Sequence, residues 1–427
     1  MTNKIRAALL GAGNRGALAY APYALRYPQE LEIVAVAEPM AERREAFVRD
    51  YGIRSEDAVA DWRELLARPR LADAAIICTQ DRMHTEPTLL ALKQGYHVLL
   101  EKPMSPEPSE CVAMEHAARE ADRLLTICHV LRYTPFWAAV KRVLDDKRIG
   151  DIMSVQLSEN VGFYHIAHSF VRGSWSRKDD SSPMILAKSC HDMDILSWLI
   201  DRECIRASSF GSLGHFRAEN APAGSAARCI DGCAVEASCA YSALKQYLDR
   251  PGWARYITSD SSRESVVQAL REGPYGCCVY RCENDVVDHQ VANFEFEGGV
   301  TATFSMSGFT HNISRSIQVM GTKGELRGYM EKRAFTVYDF VTGEQQEMTV
   351  AQSSSGHGGG DEGIVRSFLQ EVRGYGSGRE GLTSASASVR SHFMAFAAEE
   401  SRLSGGKPVD LRELRSRHMS ANVKSPS

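Results

Sequence analysis

Short apolar runs and helix-like segments alternate over the first hundred residues. The runs IRAALL, LEIVAVAEP, DAAIICTQ and HVLLEKP have the length and the Val, Ile and Leu content of buried strands. The segments between them have helical composition, although Pro22 interrupts the first one. Strands that alternate with helices form a parallel sheet, so this region is predicted to be an α/β domain with a doubly wound sheet.

A different pattern governs the middle of the chain. The stretch DHQVANFEFEGGVTATFSMSGF alternates apolar and polar side chains around Gly298 and Gly299, which predicts a half-buried hairpin. The stretch SRSIQVMGTKGELRGYM predicts a second pair of strands that turns at GTKG. Hairpins of this kind belong to an open sheet, and we expect a partner subunit to cover its flat face.

The glycine-rich segment GAGNRG directly follows the first predicted strand. Gly11, Gly13 and Gly16 have the G-x-G-x-x-G spacing of a dinucleotide site, and Asn14 and Arg15 lie between them. The first glycine permits a tight turn, the second lets the backbone approach a pyrophosphate, and the third allows close packing of helix and strand. The N-terminus of the following helix offers amide groups to the phosphates. We therefore predict a nucleotide cofactor here.

An acidic residue at the end of the second strand indicates which nucleotide binds. The carboxylate of Glu38 can accept hydrogen bonds from both hydroxyls of the adenosine ribose and repels a 2′-phosphate, which favours NAD over NADP. Arg43 and Arg44 follow closely, and an arginine can accommodate that phosphate. NADP therefore remains an alternative to NAD.

Several polar residues follow the ends of the third and fourth strands. In an open parallel sheet, ligands bind just outside the carboxyl ends of the strands. The residues expected at the cofactor site for this reason are Thr79, Gln80, His84, Glu101 and Lys102. The ammonium group of Lys102 is also placed where it can stabilise negative charge that develops on a substrate oxygen.

Composition and charge narrow the range of partners. The chain of 427 residues is 44% apolar and 24% charged, which is typical of a globular protein with two domains. Its formal net charge of −4 gives no positive surplus for nucleic acid or an anionic membrane, so a small-molecule partner is expected. No apolar run reaches the length of a membrane span, and the N-terminus lacks the pattern of a secretory signal.

The cysteines indicate a reducing compartment. There are eleven of them, an odd number scattered through a large chain, which favours free thiols and a cytoplasmic location. Two clusters lie at residues 229–239 and 277–282, and neither has the paired C-x₂-C spacing of a structural zinc site. We expect no metal.

Five segments together resemble a known family. GAGNRG, ICTQDRMH, GYHVLLEKPMS, CHVLRYTPF and KSCHDMDILSWL are similar, in order and spacing, to segments of the glucose–fructose oxidoreductase, inositol dehydrogenase and MocA family. The resemblance implies an NAD(P)-binding Rossmann domain over residues 1–134. It implies a second, α+β domain over residues 135–427, built on a large, mostly antiparallel open sheet that binds substrate and forms a homodimer or homotetramer. The terminal helices are expected to pack back on the first domain.

His191 is the candidate proton acceptor. Ser189 and Asp192 have the S-x-x-D spacing of a capping box, which predicts a helix that begins at Ser189 and places His191 in its first turn, on the apolar face of Ile195. The positive end of the helix dipole keeps the imidazole neutral and able to accept a proton. From the pattern alone, a buried structural histidine is the alternative.

The resemblance implies catalytic roles for two residues. The lysine of the EKP segment, Lys102, would hold the substrate oxygen, and the histidine of a D-x-x-x-H segment, His191, would take the hydroxyl proton. This sequence departs from that segment, because Ala187 stands at the position of the aspartate. The neighbouring Lys188 cannot orient the imidazole as a carboxylate does, and we expect it to bind a substrate oxygen instead.

One short stretch mixes aromatic and polar side chains. ENVGFYHIAHSFVRGSWSR contains Tyr164, His165, Arg172 and Trp175, a mixture that suits the hydroxyls and the C–H face of a sugar. We interpret it as a wall of the substrate site, with an ordinary surface loop as the alternative. Its two histidines, His165 and His168, lack a third metal ligand at a suitable spacing.

Two further segments complete the candidate site. Arg132 lies in CHVLRYTPF, which resembles the family's segment between the domains, close to the nicotinamide. Residues 353–363, SSSGHGGGDEG, place His357 and Asp361 in a glycine-rich segment similar to one in relatives that include NAD-dependent glycosidases. The resemblance implies that this segment closes over a sugar, whereas its glycines alone are typical of a flexible linker.

These observations predict a dehydrogenase. It would oxidise a secondary hydroxyl of a sugar, cyclitol or sugar derivative, with transfer of the hydride to NAD. An NAD-dependent glycosidase, which oxidises C3 transiently and eliminates the aglycone, is the first alternative. A non-catalytic regulator that senses the cofactor is the second.

Overall fold

The first domain is a parallel sheet. The computed structural model describes residues 4–258, 260–353, 356–376 and 381–419. The strands of this sheet are β1 (Ile5–Leu10), β2 (Leu31–Ala37), β3 (Ala58–Val59), β4 (Ala74–Ile77), β5 (His97–Leu100) and β6 (Leu125–Ile127). Their order is β3-β2-β1-β4-β5-β6, and every neighbouring pair is parallel. This is the strand order of doubly wound dinucleotide-binding folds, so the predicted Rossmann architecture is confirmed.

Helices connect these strands. They are α1 (Pro22–Arg26), α2 (Ala41–Tyr51), α3 (Trp62–Leu66), α4 (Thr85–Lys93) and α5 (Pro108–Glu120). A π-helical segment, Asn14–Tyr20, precedes α1. Pro22 lacks the amide hydrogen that would continue that segment, and it starts α1 instead. The predicted interruption at Pro22 is confirmed.

The second sheet is large and mostly antiparallel, as predicted. Its strands are β7 (Ile152–Asn160), β8 (Cys204–Ser212), β9 (His289–Phe296), β10 (Thr301–Ser307), β11 (Ser314–Gly321), β12 (Gly324–Tyr329), β13 (Ala334–Asp339), β14 (Gln345–Thr349) and β15 (Val409–Asp410). Their order is β14-β13-β12-β11-β7-β10-β9-β8-β15, and β7 and β10 form a parallel pair. Both predicted hairpins are present. The β9–β10 turn places Gly298 and Gly299 at positive φ, where a side chain would be strained.

The helices of the second half vary in length. They are α6 (Pro135–Asp145), α7 (Phe163–Ile166), α8 (Met184–Ala187), α9 (Cys190–Ile200), α10 (Ala243–Tyr247), α11 (Pro251–Ala254), α12 (Arg263–Glu272), α13 (Gly360–Arg373), α14 (Ala385–Leu403) and α15 (Leu411–Met419). Within the described chain, no helix combines the length and the hydropathy needed to cross a membrane.

An excursion between β8 and β9, residues 213–288, forms a small subdomain that the sequence pattern did not predict. It contains α10 to α12 and has its own apolar cluster, which includes Tyr247, Val266 and Leu270. All eleven cysteines of the chain are free thiols. Across the residues with described positions, no three His, Cys, Asp or Glu side chains come together in a way that could hold a metal ion.

The helices near the C-terminus lie against the first domain. Phe368 and Leu369 of α13 share an apolar cluster with Leu9 and Ile76 of the parallel sheet. Helix α14 contacts α5, α9 and β8, so it packs between the two sheets. The apolar core is therefore continuous from one domain to the other.

A buried ion pair fixes α9 to the first domain. Arg132 lies in the turn after β6 and donates from Nε and Nη2 to the two carboxylate oxygens of Asp194 on α9, each at 2.7 Å. Its Nη1 donates to the carbonyl of Leu382 at 2.8 Å. Arg132 and Asp194 are 6% and 1% exposed, so the pair lies outside the reach of solvent screening.

Substitution of one partner of this ion pair should destabilise the fold more than substitution of both. Arg132→Met leaves the Asp194 carboxylate buried without a counter-ion, which lowers the free energy of unfolding by about 3–5 kcal/mol. The double variant Arg132→Met/Asp194→Leu buries no charge and should recover about half of that loss. Urea unfolding followed by tryptophan fluorescence measures both values. A single variant as stable as the wild type would contradict this prediction.

Candidate active site

The candidate site lies where three neighbouring parallel strands end. β1, β4 and β5 are adjacent in the sheet, and the residues that follow them are joined by backbone hydrogen bonds. The amide of Cys78 donates to the carbonyl of Leu10 at 2.7 Å, and the amide of Glu101 donates to that of Ile77 at 2.8 Å. This register places the segment GAGNRG (residues 11–16, here called the glycine segment), Thr79 and Lys102 along one edge of the sheet.

The glycine segment has the shape that a dinucleotide needs. A side chain at Gly11 would overlap the carbonyl of Cys78, and one at Gly16 would overlap the carbonyl of Gly11. At Gly13, by contrast, the nearest atom to an added Cβ is Nη1 of Arg43 at 3.9 Å. The two outer glycines are therefore required by the fold, while the space in front of Gly13 is open, as the approach of a pyrophosphate requires.

Glu38 lies beside this segment. Its Oε2 accepts a hydrogen bond from the amide of Ala12 at 2.8 Å, and its Oε1 accepts one from Met40 at 3.0 Å. Each oxygen keeps a second lone pair that a ribose hydroxyl can use. Arg44 donates to the carbonyl of Glu38 at 2.6 Å, which leaves Arg43 as the arginine placed over the glycines. Asn14 is exposed at the same turn.

Arg15 links three parts of the site. Its guanidinium contacts Glu101 after β5 at 2.5 Å and Asp361 at the start of α13 at 2.8 Å. The hydroxyl of Tyr20 donates to the same Glu101 at 2.6 Å. Burial alone would raise the pKa of Glu101, but the charges of Arg15 and Lys102 outweigh it and hold that pKa below its ordinary value.

His84 holds two strand ends together. Its Nδ1 lies 2.7 Å from the carbonyl of Pro103 and its Nε2 lies 3.1 Å from that of Thr79. The ring is 1% exposed, so it supports the segment that carries Lys102 from behind. Gln80 is exposed, and the Thr79 hydroxyl donates to the carbonyl of Met83.

Lys102 and His191 are brought to the same place. The ammonium group of Lys102 donates to the carbonyl of Ala187 at 2.8 Å. Ala187 ends α8, and His191 lies in the first turn of α9, which follows directly. Lys102 is therefore held by a neutral carbonyl group next to the imidazole.

His191 is buried in a positive environment. Burial, then the charges of Lys102 and Arg315, lower the pKa of His191 well below its ordinary value. The ring is 6% exposed, and its Nδ1 lacks a hydrogen-bond partner in the part of the chain that the structure describes. The imidazole is neutral at physiological pH and can accept a proton.

The predicted capping box at Ser189 is wrong. Ser189 is the N-cap residue of α9, so the predicted helix start and the place of His191 in the first turn are confirmed. The Ser189 hydroxyl, however, makes no hydrogen bond to any described residue. The Asp192 carboxylate accepts from Nε of Arg315 at 2.8 Å instead of capping the helix. A buried guanidinium offers a charge-assisted hydrogen bond, which is stronger than one from a serine backbone amide.

A buried ion network lies behind Lys188. Its ammonium is 3.1 Å from Glu159, and Arg315 contacts both Glu159, at 2.5 Å, and Asp192. Glu159 and Arg315 face each other across β7 and β11. Burial lowers the pKa of Lys188 despite the opposing charge of Glu159.

The aromatic stretch after β7 is helical, which corrects the alternative of a surface loop. It forms α7 and then the π-helical segment Ala167–Arg172. The ring of His165 contacts Phe170 and Trp253, and burial, then the charge of Lys188, lower its pKa well below the ordinary value. Tyr164 packs against Trp253 of the subdomain.

Other members of this stretch point away from Lys102 and His191. Arg172 is 4% exposed and donates to the carbonyls of Cys277 and Tyr241 at 2.7 and 2.8 Å, so it anchors the subdomain. Trp175 is 37% exposed and contacts Phe170. Their assignment to the substrate wall therefore gains no support from the geometry.

The glycine-rich segment before α13 brings His357 to the site. His357 Nδ1 lies 2.9 Å from Oδ1 of Asp361, and its ring centroid lies 6.1 Å from that of His191. Residues 354 and 355 of the predicted loop lie outside the described residues. The structure thus groups His357 and Asp361 with Lys102 and His191.

Three residues of this neighbourhood were not predicted. The ring of His129 lies 6.0 Å from that of His191, and it follows the end of β6, where the strand-end rule could have found it. For Glu159 and Arg315 the sequence pattern that could have indicated a role is weaker than for His129. They are charged residues at positions that the alternation of β7 and β11 assigns to the buried face.

Comparison with known proteins identifies the fold family. The sequence model of the GFO/IDH/MocA oxidoreductase family, NAD-binding Rossmann fold, matches residues 5–129, and that of the GFO/IDH/MocA C-terminal domain matches residues 137–327. The chain belongs to the GFO/IDH/MocA oxidoreductase family. Its first domain is the NAD-binding Rossmann domain of that family, as the glycine segment and Glu38 predicted.

Individual relatives from the GFO/IDH/MocA family have low sequence identity to this chain. YteT of Bacillus subtilis, which carries the name of an oxidoreductase, is 24% identical over 72% of this chain and 73% of its own. The scyllo-inositol 2-dehydrogenase (NAD(+)) of the same strain is 26% identical over 65% of this chain and 70% of its own. A solved structure of levoglucosan dehydrogenase with NADH and levoglucosan has a TM-score of 0.70 at 18% identity and covers 96% of this chain and 100% of its own. That structural likeness shows the fold.

Two glycine substitutions should separate cofactor binding from folding. Gly13 has φ −75°, and an added Cβ meets open space, so Gly13→Ala should leave the melting temperature unchanged and weaken NAD binding by about tenfold or more. Gly16→Ala should lower the melting temperature, because its Cβ overlaps the Gly11 carbonyl. Thermal unfolding and calorimetric titration with NAD measure the two effects. Equal NAD affinity of Gly13→Ala and wild type would refute the assignment.

Proposed function

We propose that this protein oxidises a secondary hydroxyl group of a sugar, cyclitol or sugar derivative by hydride transfer to NAD. The observation that carries the proposal is the convergence of the Lys102 ammonium and the neutral His191 ring at the strand ends, beside the glycine segment. Gly11, Gly13, Gly16 and Glu38 would hold the cofactor. Bound NAD supplies the hydride acceptor.

The two side chains have complementary roles. Lys102 donates a hydrogen bond to the substrate oxygen and stabilises the negative charge that develops there. His191 accepts the hydroxyl proton, which its low pKa allows because the ring stays neutral. Both groups have to reach one C–O–H unit, and the carbonyl of Ala187 orients Lys102 toward α9 for that purpose.

The charges around the site favour a neutral substrate. The described charged side chains in and behind the site include four cations and four anions, besides the Arg132–Asp194 pair. They are Arg15, Lys102, Lys188 and Arg315, and Glu101, Glu159, Asp192 and Asp361. Because these charges balance, a substrate carboxylate or phosphate would be buried without a surplus cation, which costs free energy. Lys188 is expected to bind a hydroxyl.

A second candidate reaction shares this first step. Lys188, near Lys102, and His165, near Lys188, are further groups of lowered pKa, and such a base could remove the proton beside a transient ketone. Elimination, addition of water and return of the hydride would then cleave or hydrate a glycoside without net NADH. A relative from Escherichia coli, 26% identical over 32% of this chain and 36% of its own, is named 2,7-anhydro-N-acetylneuraminate hydratase.

We also propose a cytoplasmic homodimer or homotetramer formed through the nine-stranded sheet. Phe210, Val291 and Tyr329 are large exposed apolar side chains on this sheet. Strand register places them in one row across it, joined through Ser305, Ser158 and Ser316. Residues in one such row lie on one face, and an exposed apolar face of this size favours a partner subunit.

Substitutions of Lys102 and His191 test the proposed roles. Lys102→Met and His191→Asn should each lower kcat for sugar oxidation by about 10²–10⁴-fold. In the wild type, kcat/KM should fall toward low pH as the base becomes protonated. The pKa that defines this acid limb should lie below the ordinary histidine pKa of about 6.5. Lys102→Met removes a charge that lowers the His191 pKa, so its acid limb should move to higher pH. An unchanged limb would argue against His191 as the base.

Matched substrate pairs test the charge balance. Glucose should be oxidised with a kcat/KM about tenfold or more above that of glucuronate, and an inositol should exceed its phosphate similarly. Initial rates of NADH formation at saturating NAD measure both pairs. A consistent preference for the anionic member would show that one cation of the site is free for substrate, contrary to the proposed balance.

A further inference from the structure

A proton that reaches His191 has to leave before the next turnover. His191 is 6% exposed. The described rings beside it are His129, whose side chain is fully buried, and His357, whose side chain is 41% exposed. Beyond His129 lies His392, which is also buried. This row of four rings therefore meets solvent at His357.

His357 is oriented as a proton acceptor. Nδ1 of His357 lies 2.9 Å from Asp361, which only accepts hydrogen bonds, and 3.4 Å from Nη1 of Arg15, which only donates. The shorter contact with Asp361 places the proton of His357 on Nδ1 and leaves Nε2 with a lone pair. Partial burial lowers the pKa of His357, and the hydrogen bond with Asp361 opposes this only in part, so the ring is neutral at rest. Arg15 holds Asp361 through two hydrogen bonds, at 2.8 and 3.3 Å.

The backbone at His357 supports a functional role. Its φ is +49°, in the left-handed region that residues other than glycine rarely adopt. Such a conformation is energetically unfavourable and persists where the surrounding structure requires it. The following Gly358 and Gly359 share that region, so the turn aims the imidazole at the site.

The carboxylates of α9 are not available to His191. Asp192 is bound to Arg315 and Asp194 is bound to Arg132. Consequently, the close carboxylate–imidazole pair described at this site is Asp361–His357, and it comes from a different part of the chain. A ring paired with a carboxylate stabilises an added proton better than an unpaired one.

We propose that His357, oriented by Asp361, is the proton outlet of the active site. Its Nε2 accepts the proton that His191 has taken from the substrate oxygen, through one bridging water, and releases it to solvent. The centroids of the two rings lie 6.1 Å apart. The substrate O–H bond breaks and the hydride leaves carbon for NAD, which yields a ketone, NADH and one free proton. This inference rests on the proposed oxidation.

Rescue by an external base tests the outlet. The steady-state rate of NADH formation, which requires His191 to lose its proton between turnovers, is measured at low and high imidazole concentration. His357→Asn should be slower than wild type by about 10²-fold at low imidazole, recover several-fold at high imidazole, and bind NAD normally. Wild type and the control His116→Asn, a change on α5, should not respond to imidazole.

The tautomer of His357 gives a second readout that needs no substrate. Nitrogen-15 NMR of the resting protein should show the His357 proton on Nδ1, and Asp361→Asn should shift it toward Nε2. A resting Nε2 proton in wild type overturns the proposal.

The possible results distinguish a failure of the proposed proton outlet from a failure of the proposed oxidation. An active wild type with His357→Asn at full speed overturns the outlet alone. A slow His357→Asn that imidazole does not restore, and that binds substrate weakly, makes His357 part of the substrate wall and also overturns it. A wild type that forms no NADH from any sugar or cyclitol overturns the proposed function, and the outlet with it.

Discussion

The buried ion pair between Arg132 and Asp194 determines where helix α9 lies over the parallel sheet. Arg132 belongs to the turn after β6, and Asp194 lies one helical turn beyond His191. Because a buried charge needs its partner, α9 cannot shift along the sheet without a large loss of free energy. The ion pair thus holds α9, which carries His191, against the first domain.

The electrostatics of the site combine fixed charges with neutral rings. The arginines and carboxylates neutralise one another in buried networks, and the ammonium of Lys102 is bound by a carbonyl. Histidines within this field are kept neutral by burial and by neighbouring cations. Neutral rings can receive a proton but do not retain it, which suits the proposed oxidation, in which one proton is released per turnover.

The parts that sequence could predict are those set by local chemistry. The glycine spacing and the end of each strand placed Gly13, Glu38 and Lys102, because turn geometry and strand order follow from neighbouring residues. Alternation predicted the hairpin at Gly298 and Gly299 for the same reason. The family and its fold followed from the order of such segments.

The parts that sequence missed depend on contacts between distant residues. Asp192 matched a capping box, yet Arg315 from β11 takes its carboxylate. Arg172 fitted a sugar wall, yet carbonyl groups of the subdomain bind it. Within the subdomain only α12 carries a clear helical pattern, with Val266 and Leu270 buried four residues apart, and a small apolar cluster holds the described part of the subdomain together. Contacts between residues that are distant in sequence cannot be predicted from a local pattern.

One measurement tests the central claim most directly. Purified protein is incubated with NAD and a panel of neutral sugars, cyclitols and glycosides, and NADH absorbance and product mass are followed in the same sample. The account predicts one NADH for each molecule of a product that has lost two hydrogen atoms. Cleavage or hydration of a glycoside without NADH would contradict it, and so would NAD binding without any change in the substrates.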